Sequence, residues 1–100
     1  MNKDYLTKKE IIDFLKSMKP VFEKKYGLTK IALFGSYARD EQQLTSDIDL
    51  LIEMNVHDFD IRYDLKDFLE QHFNKKVDLL YFKSIRTYIM KSIEKDLLYV

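Results

Sequence analysis

The sequence predicts an α/β (α+β) domain in which a small mixed β-sheet of at least three strands is packed with helices. Apolar residues recur at three-and-four spacing within 7–26, 58–73 and 84–93, and short apolar, partly β-branched runs lie at 30–34, 47–53 and 76–82. With 46% hydrophobic and 34% charged residues, two Gly and one Pro, the composition is that of a compact chain and not of a disordered or fibrous one. A single domain over residues 1–100 is expected, because a chain of this length buries roughly two-thirds of its unfolded surface around one core.

The first helix is signalled by Thr7-Lys8-Lys9-Glu10, a capping box in which hydroxyl and carboxylate each satisfy a free backbone donor. Its stripe runs Ile11, Phe14, Leu15, Met18, Val21, Phe22 and Tyr26, and Gly27 supplies the stop. Pro20 predicts a kink near 17–19 or two short helices in sequence. Lys30 to Phe34 reads as a buried strand running into a tight turn at Gly35, and Tyr37 to Gln43 is polar with helical tendency. In the strand from Asp47 to Glu53, Ile48, Leu50 and Ile52 take one side and Asp47, Asp49 and Leu51 the other. A helix over 58–73 carries Ile61, Leu65, Phe68, Leu69 and His72, and Lys76 to Phe82 is the third strand. Ser84 is expected to cap a last helix with Ile85, Tyr88, Ile89 and Ile93 in the core.

Seventeen basic residues against seventeen acidic ones leave zero formal charge, which argues against binding a long nucleic acid. The absence of cysteine excludes disulfides, thiolate zinc sites and thiol catalysis. Met-Asn-Lys-Asp-Tyr has no apolar signal region, and apolar runs such as 31–34 are far too short for a membrane span, so a soluble, cytoplasmic protein is expected. Seven Tyr and seven Phe point to a bulky core or to an apolar face kept for another chain. His57 and His72 share no ligand spacing and read as a loop or cap residue and a helix-face residue.

The chemistry concentrates in Phe34-Gly35-Ser36-Tyr37-Ala38-Arg39, followed after a short loop by Ser46-Asp47-Ile48-Asp49-Leu50. A Gly-Ser pair between a strand and a short helix offers backbone donors and a hydroxyl to a phosphate, with no obstructing side chain. Carboxylates at i and i+2 of a strand lie on one face, where they can converge on a hard divalent cation. Asp78 sits among apolar neighbours in Val77-Asp78-Leu79-Leu80, and if its strand lies beside the Asp47–Glu53 strand it completes a three-carboxylate cluster for magnesium-assisted nucleotidyl transfer. The plainer readings are solvated carboxylates at Asp47 and Asp49, and an ion pair of Asp78 with Lys75 or Lys76. Arg39 divides between a phosphate contact and a structural ion pair, and Lys75 and Lys76 read as a solvated flank.

This arrangement resembles the signature of the polymerase-β-type nucleotidyltransferase superfamily, a Gly-Ser pair followed by Asp-x-Asp. Size, the Gly-Ser-x-Ala-Arg and Ser-Asp-Ile-Asp-Leu-Leu wording and the Val-Asp-Leu-Leu strand are similar to the minimal nucleotidyltransferases, the MNT antitoxins paired with HEPN ribonuclease toxins. The resemblance implies a palm-like nucleotidyltransferase fold, ATP as substrate and Mg2+ as cofactor. It implies that Gly35 and Ser36 contact the triphosphate, with Arg39 and Ser46 at the nucleotide. Asp47, Asp49 and Asp78 are then the catalytic carboxylates and metal ligands, with Asp78 helping to deprotonate the acceptor. That acceptor would be a tyrosine of a partner HEPN toxin, silenced by AMPylation within a hetero-oligomer. A non-catalytic antitoxin and a small-molecule, antibiotic-type nucleotidyltransferase are the alternatives, and the latter usually needs a further domain. Asp40 stands where the family commonly has Gly; a left-handed backbone there would suit Asp better than most residues, but its charge would disfavour a nearby phosphate.

Overall fold

The computed structural model of the chain describes residues 5–100, so the reading of the first four residues lies outside it. The elements are α1 (Lys8–Tyr26), β1 (Leu28–Phe34), α2 (Gly35–Ala38), β2 (Ile48–Met54), α3 (Phe59–Phe73) and β3 (Val77–Tyr81). A 3₁₀ turn (Phe82–Ser84), α4 (Thr87–Ile93), a second 3₁₀ turn (Glu94–Asp96) and β4 (Leu98–Tyr99) follow. The strands form one mixed sheet in the order β3-β2-β1-β4, with β2 and β3 parallel and the other pairs antiparallel. Parallel pairing requires a crossover, and α3 supplies it.

Helix α1 opens as its capping box dictates: the Glu10 amide donates to Thr7 Oγ1 at 3.2 Å, and the Thr7 amide donates to Glu10 Oε1 at 2.9 Å. It closes on Gly27 at φ 71°, a left-handed position that glycine adopts without strain. The break expected at Pro20 does not occur, and the helix runs through it as one element. Pro20 and Lys16 are both exposed, so the carbonyl that loses its donor is open to water and the helix persists. Ile11, Leu15, Phe22 and Tyr26 are buried as the stripe predicts, but Val21 is 46% exposed. In α3, capped by Asp58, Leu65 and Leu69 are fully buried. Its His72 stacks on Phe14 of α1 with ring centroids 3.6 Å apart.

These two helices cover one sheet face, where Ile31, Leu33, Ile48, Leu50, Ile52, Val77 and Leu79 join one hydrophobic cluster. Along each strand the alternate residues point the other way, including Ala32, Leu51, Asp49 and Asp78. Phe82 ring-stacks with Tyr99 on that second face, beneath the Lys30 ammonium.

The region after β3 departs from expectation. Ser84 belongs to the 3₁₀ turn and caps nothing, and α4 starts at Thr87 after Arg86 with no side-chain cap. Ile85, Tyr88, Ile89 and Ile93 are not core: α4 has no buried residue, and Tyr88 is 67% exposed. The seven-residue helix packs mainly against the turn that follows it, so its apolar side never reaches the sheet's interior. Strand β4, unforeseen, pairs with β1 through Ala32↔Tyr99 and Leu33↔Leu98, and Lys19 Nζ donates to the Val100 carbonyl at 2.7 Å.

Replacing Thr7 by Ala removes one half of the capping box and is expected to lower unfolding free energy by about 1 kcal/mol, read from urea denaturation. An unchanged midpoint would show that α1 is held by packing alone.

Candidate active site

The carboxylates are brought together by strand register. Phe34 of β1, Asp49 of β2 and Asp78 of β3 form one row across the sheet, since Phe34 pairs with Asp49 and Asp49 with Asp78. Asp78 is therefore beside Asp49, and no ion pair with Lys75 or Lys76 forms among the described residues. Asp47 lies just ahead of β2, after a turn in which the Gln43 amide donates to Ser46 Oγ at 2.8 Å and the Ser46 amide to the Gln43 carbonyl at 3.0 Å.

Gly35 is what lets this row meet the turn after β1. Its φ is 76°, and a Cβ there would lie 3.1 Å from Asp49 Cγ, 3.2 Å from Asp49 Cβ and closer still to Oδ2. Backbone conformation and space thus both demand glycine.

Burial, then the charges of Asp78 and Asp47, push the Asp49 carboxyl up from its ordinary value to about 6, with Arg39 pulling the other way. Asp78 stands beside Asp49 in the β2–β3 register, so its charge raises the cost of ionising Asp49 when nothing else neutralises the pair. Hard, partly desolvated oxygens crowded in this way fit a divalent cation, whose charge would offset theirs. As the side chains stand, no three Asp, Glu, His or Cys groups among the described residues are gathered closely enough to count as a preformed cage. Asp49 and Asp78 are paired by register, and Asp47 acts on Asp49 through its charge.

The remaining residues fall into place unequally. Ser36 sits in the first turn of α2, half-buried, and its carbonyl accepts from the Glu41 amide at 2.9 Å. Helix α2 starts at Gly35 itself and is only four residues long, so the polar stretch expected to be helical as far as Gln43 is mostly loop. Arg39 pairs with Glu41 at 2.9 Å, while Asp49 and Asp96 also act on its charge. Ser46 Oγ accepts within its own turn, a role in loop shape. Asp40 is left-handed at φ 57°, and Lys8 Nζ lies 2.8 Å from its carboxylate, so the extra charge has a counterion.

Sequence reasoning passed over several contacts around the row. Lys75 is not a free solvated flank: its ammonium donates to the Leu44 carbonyl at 2.7 Å. Arg62 donates to the Leu79 carbonyl at 3.1 Å, occupying an acceptor of edge strand β3. His57 bonds Glu53 at 2.6 Å and stacks on Tyr81, and this bond holds the Glu53 carboxyl below its usual range. All three join residues remote in sequence or across a turn, and no local pattern announces them. A cleft of about 360 Å³ lies on the other side of the loop, lined by Leu6, Tyr37, Leu44, Phe73 and Lys75 but by none of the three aspartates.

A Gly-Ser turn thus lies against a row of paired carboxylates on a mixed sheet, so backbone donors suited to a phosphate and hard oxygen donors stand together. The comparisons agree: the model of the nucleotidyltransferase domain family matches residues 6–100, and the chain belongs to that family. MJ0128 of Methanocaldococcus jannaschii, provisionally named a protein adenylyltransferase, is 45% identical over 93 residues, covering 91% of this chain and 95% of that protein. The protein adenylyltransferase MntA of Thermococcus cleftensis is 30% identical over 96 residues, covering 95% and 97%. Among solved structures, a mutant MntA–HpeT toxin–antitoxin complex aligns with a TM-score of 0.64 at 27% identity, covering 96% of this chain and 72% of that chain. A toxin–antitoxin structure with AMP-PNP aligns with a TM-score of 0.57 at 31% identity, covering 83% and 63%.

Gly35→Ala is expected to cost at least about 1–3 kcal/mol in stability, measured by thermal or urea unfolding, because it adds left-handed strain to the clash with Asp49. Stability equal to the parent would mean that the turn and β2 do not press together.

A second expectation concerns pH in the cation-free protein. The folded carboxyl of Asp49 titrates near 6 against 3.8 unfolded, so between these values the folded state holds more protons and stability falls as pH rises. Asp49→Asn should flatten that decline and leave the variant more stable at neutral pH by about 1 kcal/mol, a figure reduced for the site's partial exposure. Melting curves from pH 4 to pH 8 in EDTA check this, and identical slopes for the two proteins would refute it.

Proposed function

We propose that this chain is the antitoxin of a HEPN/MNT toxin–antitoxin pair, acting in the cytoplasm as a magnesium-dependent protein adenylyltransferase. Its substrate is ATP, and its acceptor is a tyrosine hydroxyl of the cognate HEPN ribonuclease toxin. The observation that carries this reading is the Asp49–Asp78 pair, set against the Gly35–Ser36 turn. A module that only binds needs no crowded carboxylates beside a glycine turn. Support for a protein acceptor comes from the relative named protein adenylyltransferase MntA and from the toxin–antitoxin complexes among the structural relatives, one of them with an ATP analogue.

In this reading the Gly35–Ser36 turn receives the triphosphate, with Arg39 beside it. Asp47, Asp49 and Asp78 hold Mg2+, which when bound supplies charge neutralisation for the phosphates. The phenolic oxygen forms a bond to the α-phosphorus as the bond to the β-phosphate oxygen breaks, and pyrophosphate leaves carrying that electron pair. Asp78, on the edge strand, takes the phenolic proton. Among the described residues no helix is long and apolar enough to cross a membrane.

A second reading, neutralisation by stable complex formation alone, is favoured by the exposed Tyr88, Phe59 and Tyr63, which offer apolar surface to another chain. Intact mass separates the two. Incubation of the HEPN partner with this protein, ATP and magnesium should add whole AMP units, and the Asp47→Ala, Asp49→Ala double variant should lower the rate by at least about a hundredfold. A partner of unchanged mass that the double variant still inhibits in a co-purifying complex would overturn the enzymatic account.

A further inference from the structure

The loop from Arg39 to Asp47 joins the glycine turn to the first aspartate, and its own bonds, Arg39 to Glu41 and the Gln43–Ser46 turn, are local ones that do not tie it to β3. Leu44 at its outer part is 64% exposed, and Gln42 Oε1 is shielded from solvent with no hydrogen-bond partner. Leu44 and Lys75 both line the cleft of about 360 Å³. Two lysines from elsewhere reach the loop. Lys8, at the start of α1, pairs with Asp40 across a largely exposed contact, where ion pairs contribute little. Lys75, partly exposed like Lys8, donates through a solvent-open contact to a main-chain carbonyl, that of Leu44, from 31 residues away. A carbonyl cannot turn aside as a side chain can, so this bond fixes the path of the backbone itself.

The position of Lys75 matters as much as its bond. It stands three residues before Asp78, ahead of β3, and the Leu44 carbonyl stands three residues before Asp47, ahead of β2. Close by, the Ile48 amide donates to the Lys76 carbonyl at 3.0 Å, which starts the β2–β3 pairing. The ammonium and this amide are thus two ties between the same two segments, one before each aspartate-bearing strand.

We infer that Lys75 is a positioning residue: its bond to the Leu44 carbonyl sets Asp47 relative to Asp49 and Asp78, and so sets the site's affinity for a divalent cation. It touches no reacting group. The inference rests on the proposed cation-dependent function, and it predicts that loss of the ammonium weakens the cation while leaving the fold and Asp49–Asp78 register in place.

The test uses the full chain and Mn2+, followed by the loss of its free-ion electron paramagnetic resonance signal on titration with protein, with and without ATP. Lys75→Met keeps the aliphatic stem and removes the donor. It is expected to weaken Mn2+ binding at least about tenfold, as a misplaced ligand does, with a melting temperature in EDTA close to the parent's. Lys75→Arg should recover most of the affinity, and Lys8→Met should leave it within about twofold, as befits an exposed pair. Mn2+ binding unchanged in Lys75→Met would overturn the inference. So would a melting temperature that falls with the affinity and is the only quantity Lys75→Arg restores. A parent protein that binds no Mn2+, even with ATP, would instead overturn the proposed function on which the inference stands.

Discussion

The contact between the Asp49 carboxylate and the Gly35 backbone is the constraint on which the rest of the site depends. A side chain at residue 35 would occupy the space of the Asp49 carboxyl, so the turn after β1 and the start of β2 can meet only there. That meeting places a Gly-Ser turn and a row of carboxylates on the same edge of the sheet. The pairing of Phe34 with Asp49, then of Asp49 with Asp78, extends the row to the edge strand. Everything else that can act in chemistry is arranged around this line.

Crowding two acids on adjacent strands opposes folding, and the scaffold offsets it with ordinary packing. On the helix face, β1, β2 and β3 carry fully or nearly fully buried aliphatic side chains into one cluster with α1 and α3. Burying such side chains contributes about 1.5–3 kcal/mol each, enough for a handful of them to outweigh one unfavourable carboxylate. The mixed topology is part of this solution. Helix α3 returns the chain so that β3 runs parallel to β2, and that register sets Asp78 level with Asp49 instead of one residue away, on the other face.

The two faces of the sheet therefore do different work. One is filled by helices and supplies stability. The other carries Asp49 and Asp78, is partly covered by the segment from Phe82 onward, and is bordered by a short helix with no buried residue.

Local chemistry was legible in the sequence wherever the signal was local. The capping box at Thr7, the glycine stop at Gly27, the alternation around Ile48 and Leu50 and the Gly-Ser and Asp-x-Asp segments all follow from the properties of neighbouring residues. Local reasoning failed where the environment decided: Pro20 was tolerated because its face meets water, and α4 kept its apolar residues outside because it packs mainly on the turn that follows it. Strand β4 is two residues long and exists through its pairing with β1, too short for periodicity to register. By itself the sequence determined on which side of its strand Asp49 lies, opposite Ile48, Leu50 and Ile52, because side-chain alternation is a property of the backbone. Only the tertiary structure decided that Asp78 pairs with Asp49, that Gly35 admits the carboxyl and that Lys75 spans to Leu44. Each of these joins residues more than ten positions apart, where register and close approach are set by the packing of the whole sheet.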